Sequence, residues 1–134
     1  MNGVIAVRSL LVADNGLTAL VPEARIAAGT LPQGTVLPAI SLMSVSSIDR
    51  NIIKSGAVRR VTERVQVTVL AANYPATKAI LKAVRQAAAD RSPAIAGITQ
   101  VTVHTASAGP DFLDEQAGIH MQTQDFRVSF NEAC

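Results

Sequence analysis

Residues 58–71, Val-Arg-Arg-Val-Thr-Glu-Arg-Val-Gln-Val-Thr-Val-Leu-Ala, carry the clearest structural signal in the chain. Val61, Val65, Val67, Val69 and Ala71 alternate with Thr62, Arg64, Gln66, Thr68 and Leu70. Side chains of a strand point to opposite faces in turn, so this period of two predicts a long half-buried strand with one apolar and one mostly polar face. Directly after it, Asn73 is placed to cap a helix and Pro75 fits that helix's first turn. The helix is expected to run to about Asp90, with Ile80, Leu81, Val84 and Ala88 toward the core. Lys78, Lys82 and Arg85 fall at i, i+4 and i+7 and so form a basic stripe on its surface. On the other side of the key strand, residues 46–56 are polar and read as a connection. Val36 to Val45 reads as the preceding strand, with Pro38 early in it, which points to an edge position or the strand's first residues. Ile40 and Leu42 occupy one face and Met43 and Val45 the other, so one face is available to another subunit.

Further out, Val4, Val7, Leu10 and Leu11 recur at helical spacing within a helix expected over Gly3 to Ala13. Asp14 or Asn15 can cap a short second helix through Leu17, Leu20 and Val21, which Pro22 stops. Ile98 to Thr105 reads as a third strand with Val101 and Val103 inward. Residues 106–117 read as a loop containing Gly109-Pro110 and three acids. Ile119 to Phe130 is the last strand. Its apolar phase changes from odd positions (Ile119, Met121) to even ones (Phe126, Val128, Phe130), which a bulge near Thr123–Asp125 would reconcile. The order is α-β-β-α-β-β. It predicts one α+β domain over residues 1–134: a mainly antiparallel sheet of about four strands with two main helices on one face.

The 134 residues are the size of one domain, enough to bury roughly two-thirds of the unfolded surface. The hydrophobic fraction of 49% argues against disorder, while 3% aromatics and no Trp leave Val, Ile, Leu and Ala to build the core. Stacking platforms for sugars or single-stranded nucleic acid need exposed aromatics and are not expected. No apolar run reaches the roughly 18 residues of a membrane span, and the first 20 residues do not read as a signal peptide, so no membrane contact and a cytoplasmic site of synthesis are expected. The single cysteine, Cys134, allows neither an internal disulfide nor a thiolate metal cluster. Charge is unevenly spread. Residues 50–91 hold nine basic groups against Glu63 and Asp90, a net of +7, and residues 92–134 hold Arg127 against five acids, a net of −4. Such a split suits head-to-tail self-association or an anionic partner.

No catalytic set stands out. His104 and His120 lie on predicted strands without further ligands at compatible positions. A nucleophile elbow, a phosphate loop and a dinucleotide fingerprint are absent. Neither a metal nor a cofactor is expected. Asp111, Asp114 and Glu115 form an acidic cluster whose bland reading is a solvated loop. Arg59, Arg60 and Arg64 can contact phosphates or a partner, and without a recognition-helix pattern any nucleic-acid contact is sequence-independent.

Several pieces in order carry a resemblance. They are an opening helix ending near Leu17-Thr18-Ala19-Leu20-Val21, the loop Leu31-Pro32-Gln33-Gly34, and Leu37-Pro38-Ala39-Ile40 entering the first strand. Arg64-Val65-Gln66-Val67-Thr68-Val69 then leads to Ala71-Ala72-Asn73-Tyr74, and Asp125-Phe126-Arg127-Val128 stands near the end. Over nearly the whole chain this resembles the phage tail-completion proteins, the tail terminators or tail-to-head joining proteins, with gene transfer agent counterparts. The resemblance implies a structural virion protein made in the bacterial host cytoplasm. It implies a ring, usually a hexamer, at the head-proximal end of the tail tube, which stops tube polymerisation and joins the head connector, with DNA passing through its lumen. The family offers no catalytic residues to carry over. On that footing Arg59, Arg60, Arg64, Lys78, Lys82 and Arg85 are expected at a subunit interface or the DNA lumen. Asp111, Asp114 and Glu115 are expected at an acidic interface, and Asp49, Arg50 and Lys54 in a segment that orders on docking to tube or connector. The alternatives are another head–tail connector, head-closure or tail-tube subunit, or a small-molecule-binding regulatory domain, for which the sequence names no pocket of convergent polar groups.

Overall fold

A computed structural model describes residues 2–29, 31, 36–50 and 58–133, with only the backbone of Arg50. The elements are α1 (Asn2–Ala13), α2 (Asn15–Thr18), a 3-10 turn (Glu23–Arg25), β1 (Ile26–Ala28), β2 (Ala39–Arg50) and β3 (Val58–Ala71). They continue with α3 (Tyr74–Ala88), β4 (Ile98–Ala108), β5 (Phe112–Asp114) and β6 (Ile119–Ala133). The strands form one sheet in the order β1-β2-β3-β6-β4, with β5 pairing β6 beyond β4. The α+β class and the two helices on one face are as expected; the sheet has six strands rather than about four. β1 and β5 are three residues each, too short to show a period, and β1 joins β2 in parallel.

The key strand is central. Val61, Val65, Val67, Val69 and Ala71 of β3 are all buried, joined by Phe126, Val128 and Phe130 of the adjacent β6. Val4, Val7 and Leu11 of α1 and Ile80, Val84 and Ala88 of α3 close this layer from above. Local chemistry sets the helix ends. The Asp14 carboxylate accepts from Leu17 N at 3.0 Å, and the Asn73 side chain accepts from Ala76 N at 2.8 Å, each satisfying an amide that a helix N-terminus leaves without a partner. α3 stops at Ala88, short of Asp90, whose φ of 56° leaves the helical region.

Two expectations need correction. β2 runs on to Arg50, so 46–50, including Asp49, is strand paired with β3 and not a connection. Its Ser-rich residues lie on a sheet region without helical cover and therefore look like a loop in sequence. Residues 51–56, with the docking candidate Lys54, lie outside the described residues. Secondly, β6 carries no bulge near Thr123–Asp125. Its register against β3 is unbroken from Val58↔Ala133 to Ala71↔His120. The apolar phase changes because Gln122 and Gln124 take buried core-side positions while Met121 lies on the other face. The Gln122 amide donates to Gly109 O at 2.9 Å and the Gln124 amide to Ser107 O at 3.2 Å, so both buried amide nitrogens have partners where β4 leaves β6, while Gln124 Oε1 has none among the described residues. The irregularities sit instead at Ser44/Ser46 in β2 and at Thr99/Thr102 and Thr105/Ala108 between β4 and β6.

Candidate assembly surface

The helices lie on one face only, and among the described residues no helix covers the other face of the sheet. Cross-strand partners share a face, so the register places Arg60, Thr62, Arg64, Gln66 and Thr68 of β3 beside Asn131, Ser129, Arg127, Asp125 and Thr123 of β6. β2 adds Met43 and Ile48, which are 50% and 63% exposed. The polar groups are held in place. Arg64 forms an ion pair with Asp125 at 2.6 Å and donates to Ser107 Oγ at 3.0 Å. Arg60 donates to Gln100 O at 2.9 Å and Asn131 Oδ1 at 3.3 Å, and the hydroxyls of Thr62 and Ser129 lie 3.2 Å apart. Arg127 is exposed and makes no hydrogen bond or ion pair among the described residues. Ile48, Arg60, Thr62, Arg127 and Ser129 line a shallow concavity of about 430 Å³.

The expected site residues fall into separate places. Arg59 points to the opposite side of β3 from Arg60 and Arg64, toward Asp49 at 3.4 Å and Glu132 at 3.9 Å. Lys78, Lys82 and Arg85 lie on α3, in the helical layer, along an open cleft of about 550 Å³ that Asp90 and Thr105 also line. The two basic groups therefore do not converge. Lys78 and Asp111, one from each expected patch, meet within the chain. The Lys78 ammonium donates to Asp111 Oδ1 at 2.5 Å and to Gln122 Oε1 at 2.6 Å, 5.0 Å from the Tyr74 ring centre, and the Tyr74 hydroxyl donates to Asp111 Oδ2 at 3.0 Å. The hydrogen bond to Asp111 raises the Lys78 pKa above its ordinary value. The hydrogen bonds from Lys78 and then Tyr74 hold the Asp111 carboxyl below its own. Asp114 ends β5, where its side chain accepts from Ala117 N at 3.2 Å, and Glu115 follows it in an exposed turn.

Sequence reading missed three participants. Arg127 is hidden among the acids of the C-terminal third. Phe112 and Leu113, 58% and 45% exposed on β5, lie in what reads as a loop. The signal for Phe112 was available: Phe126 and Phe130 have strand partners in phase, whereas Phe112 does not. With Tyr74 and His120, whose rings meet edge-on at 6.5 Å, Phe112 and Leu113 border a small apolar hollow of about 240 Å³. Among the described residues no three His, Cys, Asp or Glu side chains gather as a metal ion needs, and no helix is long and apolar enough to cross a membrane.

The sheet is sealed by helices on one face and, among the described residues, carries apolar and guanidinium groups together on a face without helical cover. The family model described as tail completion protein gp17 matches residues 5–130, and the chain belongs to that family. It is thus a phage tail structural protein by family. Its fold is similar to that of a chain in the solved structure "Virion of native gene transfer agent (GTA) particle". The TM-score is 0.74 at 20% identity, over 97% of this chain and 96% of that one. Comparison with curated proteins gives no match in sequence.

Proposed function

We propose that the chain is a ring-forming tail terminator of a phage-like particle. Subunits, six in the family's usual ring, close on the head-proximal end of the tail tube, stop its polymerisation and present a surface to the head connector. DNA crosses the lumen through contacts that ignore sequence, as charge on a polar strand face would provide. The protein works in the virion after synthesis in the bacterial host cytoplasm, and its role requires no cofactor or catalytic group. One observation carries the reading: exposed Met43 and Ile48 stand on the arginine-bearing sheet face, which no helix among the described residues covers. Apolar groups left in water on a small subunit favour burial against another protein. Family membership and the fold shared with a chain of a gene transfer agent virion support it further.

The test is the mass of the purified chain in solution, followed by negative-stain imaging of the same sample with isolated tail tubes. The expected result is a discrete ring, a small multiple of 14.0 kDa, free or bound at one tube end. Open-ended filaments point instead to a tube subunit. A chain that stays monomeric and leaves tube ends bare overturns the reading.

A further inference from the structure

The concavity on the arginine-bearing sheet face has a specific chemistry. Two arginines, Arg60 and Arg127, line it together with Thr62 and Ser129, whose hydroxyls lie 3.2 Å apart, and with the apolar Ile48. Neither arginine meets a carboxylate among the described residues: Arg60 is held only by the neutral oxygens of Gln100 and Asn131, and Arg127 by nothing. Arg64 differs, because Asp125 already neutralises it. Two guanidinium forks without an anion, beside an exposed apolar side chain, suit a partner that presents carboxylates next to hydrophobic groups.

The chain itself carries such a segment. Phe112 and Leu113 are exposed, and Asp114 and Glu115 follow directly. The segment sits at the sheet's far edge, where Asp114 pairs with Ile119. Arg127 lies eight residues farther along β6, roughly 27 Å at about 3.4 Å per residue. A subunit therefore cannot fill its own concavity with this segment, but a second copy can. Because donor segment and acceptor concavity are different surfaces, the contact is heterologous, the kind that closes a ring. We propose that residues Phe112–Glu115 of one copy dock on the Ile48/Arg60/Arg127 concavity of the next, with Asp114 and Glu115 against the guanidiniums and Phe112 and Leu113 against the Ile48 side. The proposal rests on the ring reading and names its contact.

A charge swap tests it. Arg127→Glu, and separately Asp114→Lys with Glu115→Lys, are each expected to weaken association at least tenfold, so that mass falls toward the 14.0 kDa monomer. The combination of all three restores it. Where the free chain is monomeric, occupancy of isolated tail tubes is read instead. Far-UV circular dichroism checks folding, and Phe112→Ser, on an exposed three-residue strand, is the second disrupting variant. Either charge variant assembling like the unaltered chain, or a combined variant that is not rescued, overturns the docking contact and leaves the ring standing. Particles of Arg127→Glu that assemble normally but fail to deliver DNA, with the acid variant unaffected, place the arginines on DNA and overturn it too. An unaltered chain that neither oligomerises nor binds tubes brings down the ring reading itself.

Discussion

Gly3 and Glu63 determine each other. Glu63 is only 2% exposed, and its carboxylate lies against the first turn of α1, a helix with no acid of its own there. A negative group at that end complements the helix dipole. A methyl at position 3 would come within 2.5 Å of Glu63 Oε2 and 2.7 Å of its Cδ. Gly3→Ala is therefore expected to lower stability by roughly 1–3 kcal/mol despite the better helix propensity of alanine, and a thermal melt that rises instead contradicts the packing account. The Lys78–Asp111 pair sets a pH dependence of known sign. Asp111 has a depressed folded pKa, so its contribution is complete above the ordinary aspartate value and is lost as pH falls through the folded one. Lys78 has a raised folded pKa, so its contribution is complete below the ordinary lysine value and is lost as pH rises through the folded one. The stability difference between the unaltered chain and Lys78→Met should be flat between those two ordinary values and shrink outside them, as denaturant midpoints across pH will show. Neither partner was legible as a pair, because residues 33 apart in sequence meet only through the docking of α3 beside β6.

At the scale of elements, β3 and α3 were legible because each obeys one period and carries its own boundary signal. β3 alternates without a break through Val65, Val67 and Val69, and Asn73 with Pro75 marks the start of α3. Removing that signal should matter in proportion: Asn73→Ala is expected to cost about 1 kcal/mol, measured by denaturant unfolding. β6 misled because two core-side positions hold glutamines, whose burial depends on carbonyls of residues 107 and 109 that no local pattern announces. Its later half follows the ordinary rule. Phe126 is fully buried between the sheet and the helices, so Phe126→Ala should cost roughly 3–5 kcal/mol, read from the same unfolding curves. The end of β2 misled for the opposite reason: where neither face is covered, alternation has nothing to report. The concavity stayed invisible for lack of any linear signal, since Ile48, Arg60 and Arg127 come from three strands.

At the scale of the molecule, the charge split seen in sequence is spent in part inside the chain, through Arg59 with Asp49 and Glu132, Arg64 with Asp125, and Lys78 with Asp111. Arg8, Arg25, Arg60, Lys82, Arg85, Arg91 and Arg127 keep no carboxylate partner among the described residues, and of these Arg60 and Arg127 on the sheet face and Lys82 and Arg85 on α3 stand where a neighbour could meet them. Assembly through them should weaken as salt rises from 50 to 500 mM, about the range over which screening shortens from well above to well below 10 Å; sedimentation at the two ends checks it. The strand order also has a kinetic side. β6 lies between β3 and β4, although β4 precedes it in the chain, so the sheet closes only when a late strand slides into a gap flanked by two earlier ones. Its partners along β3 are 49 to 75 positions away in sequence, from the Ala71↔His120 pair to Val58↔Ala133. Closing such long loops precedes any gain from the contacts they make, which slows folding. Until β6 arrives, one edge of β3 is open to the β6 of another nascent chain, so crowded synthesis carries a hazard of strand exchange, a dimer distinct from any ring.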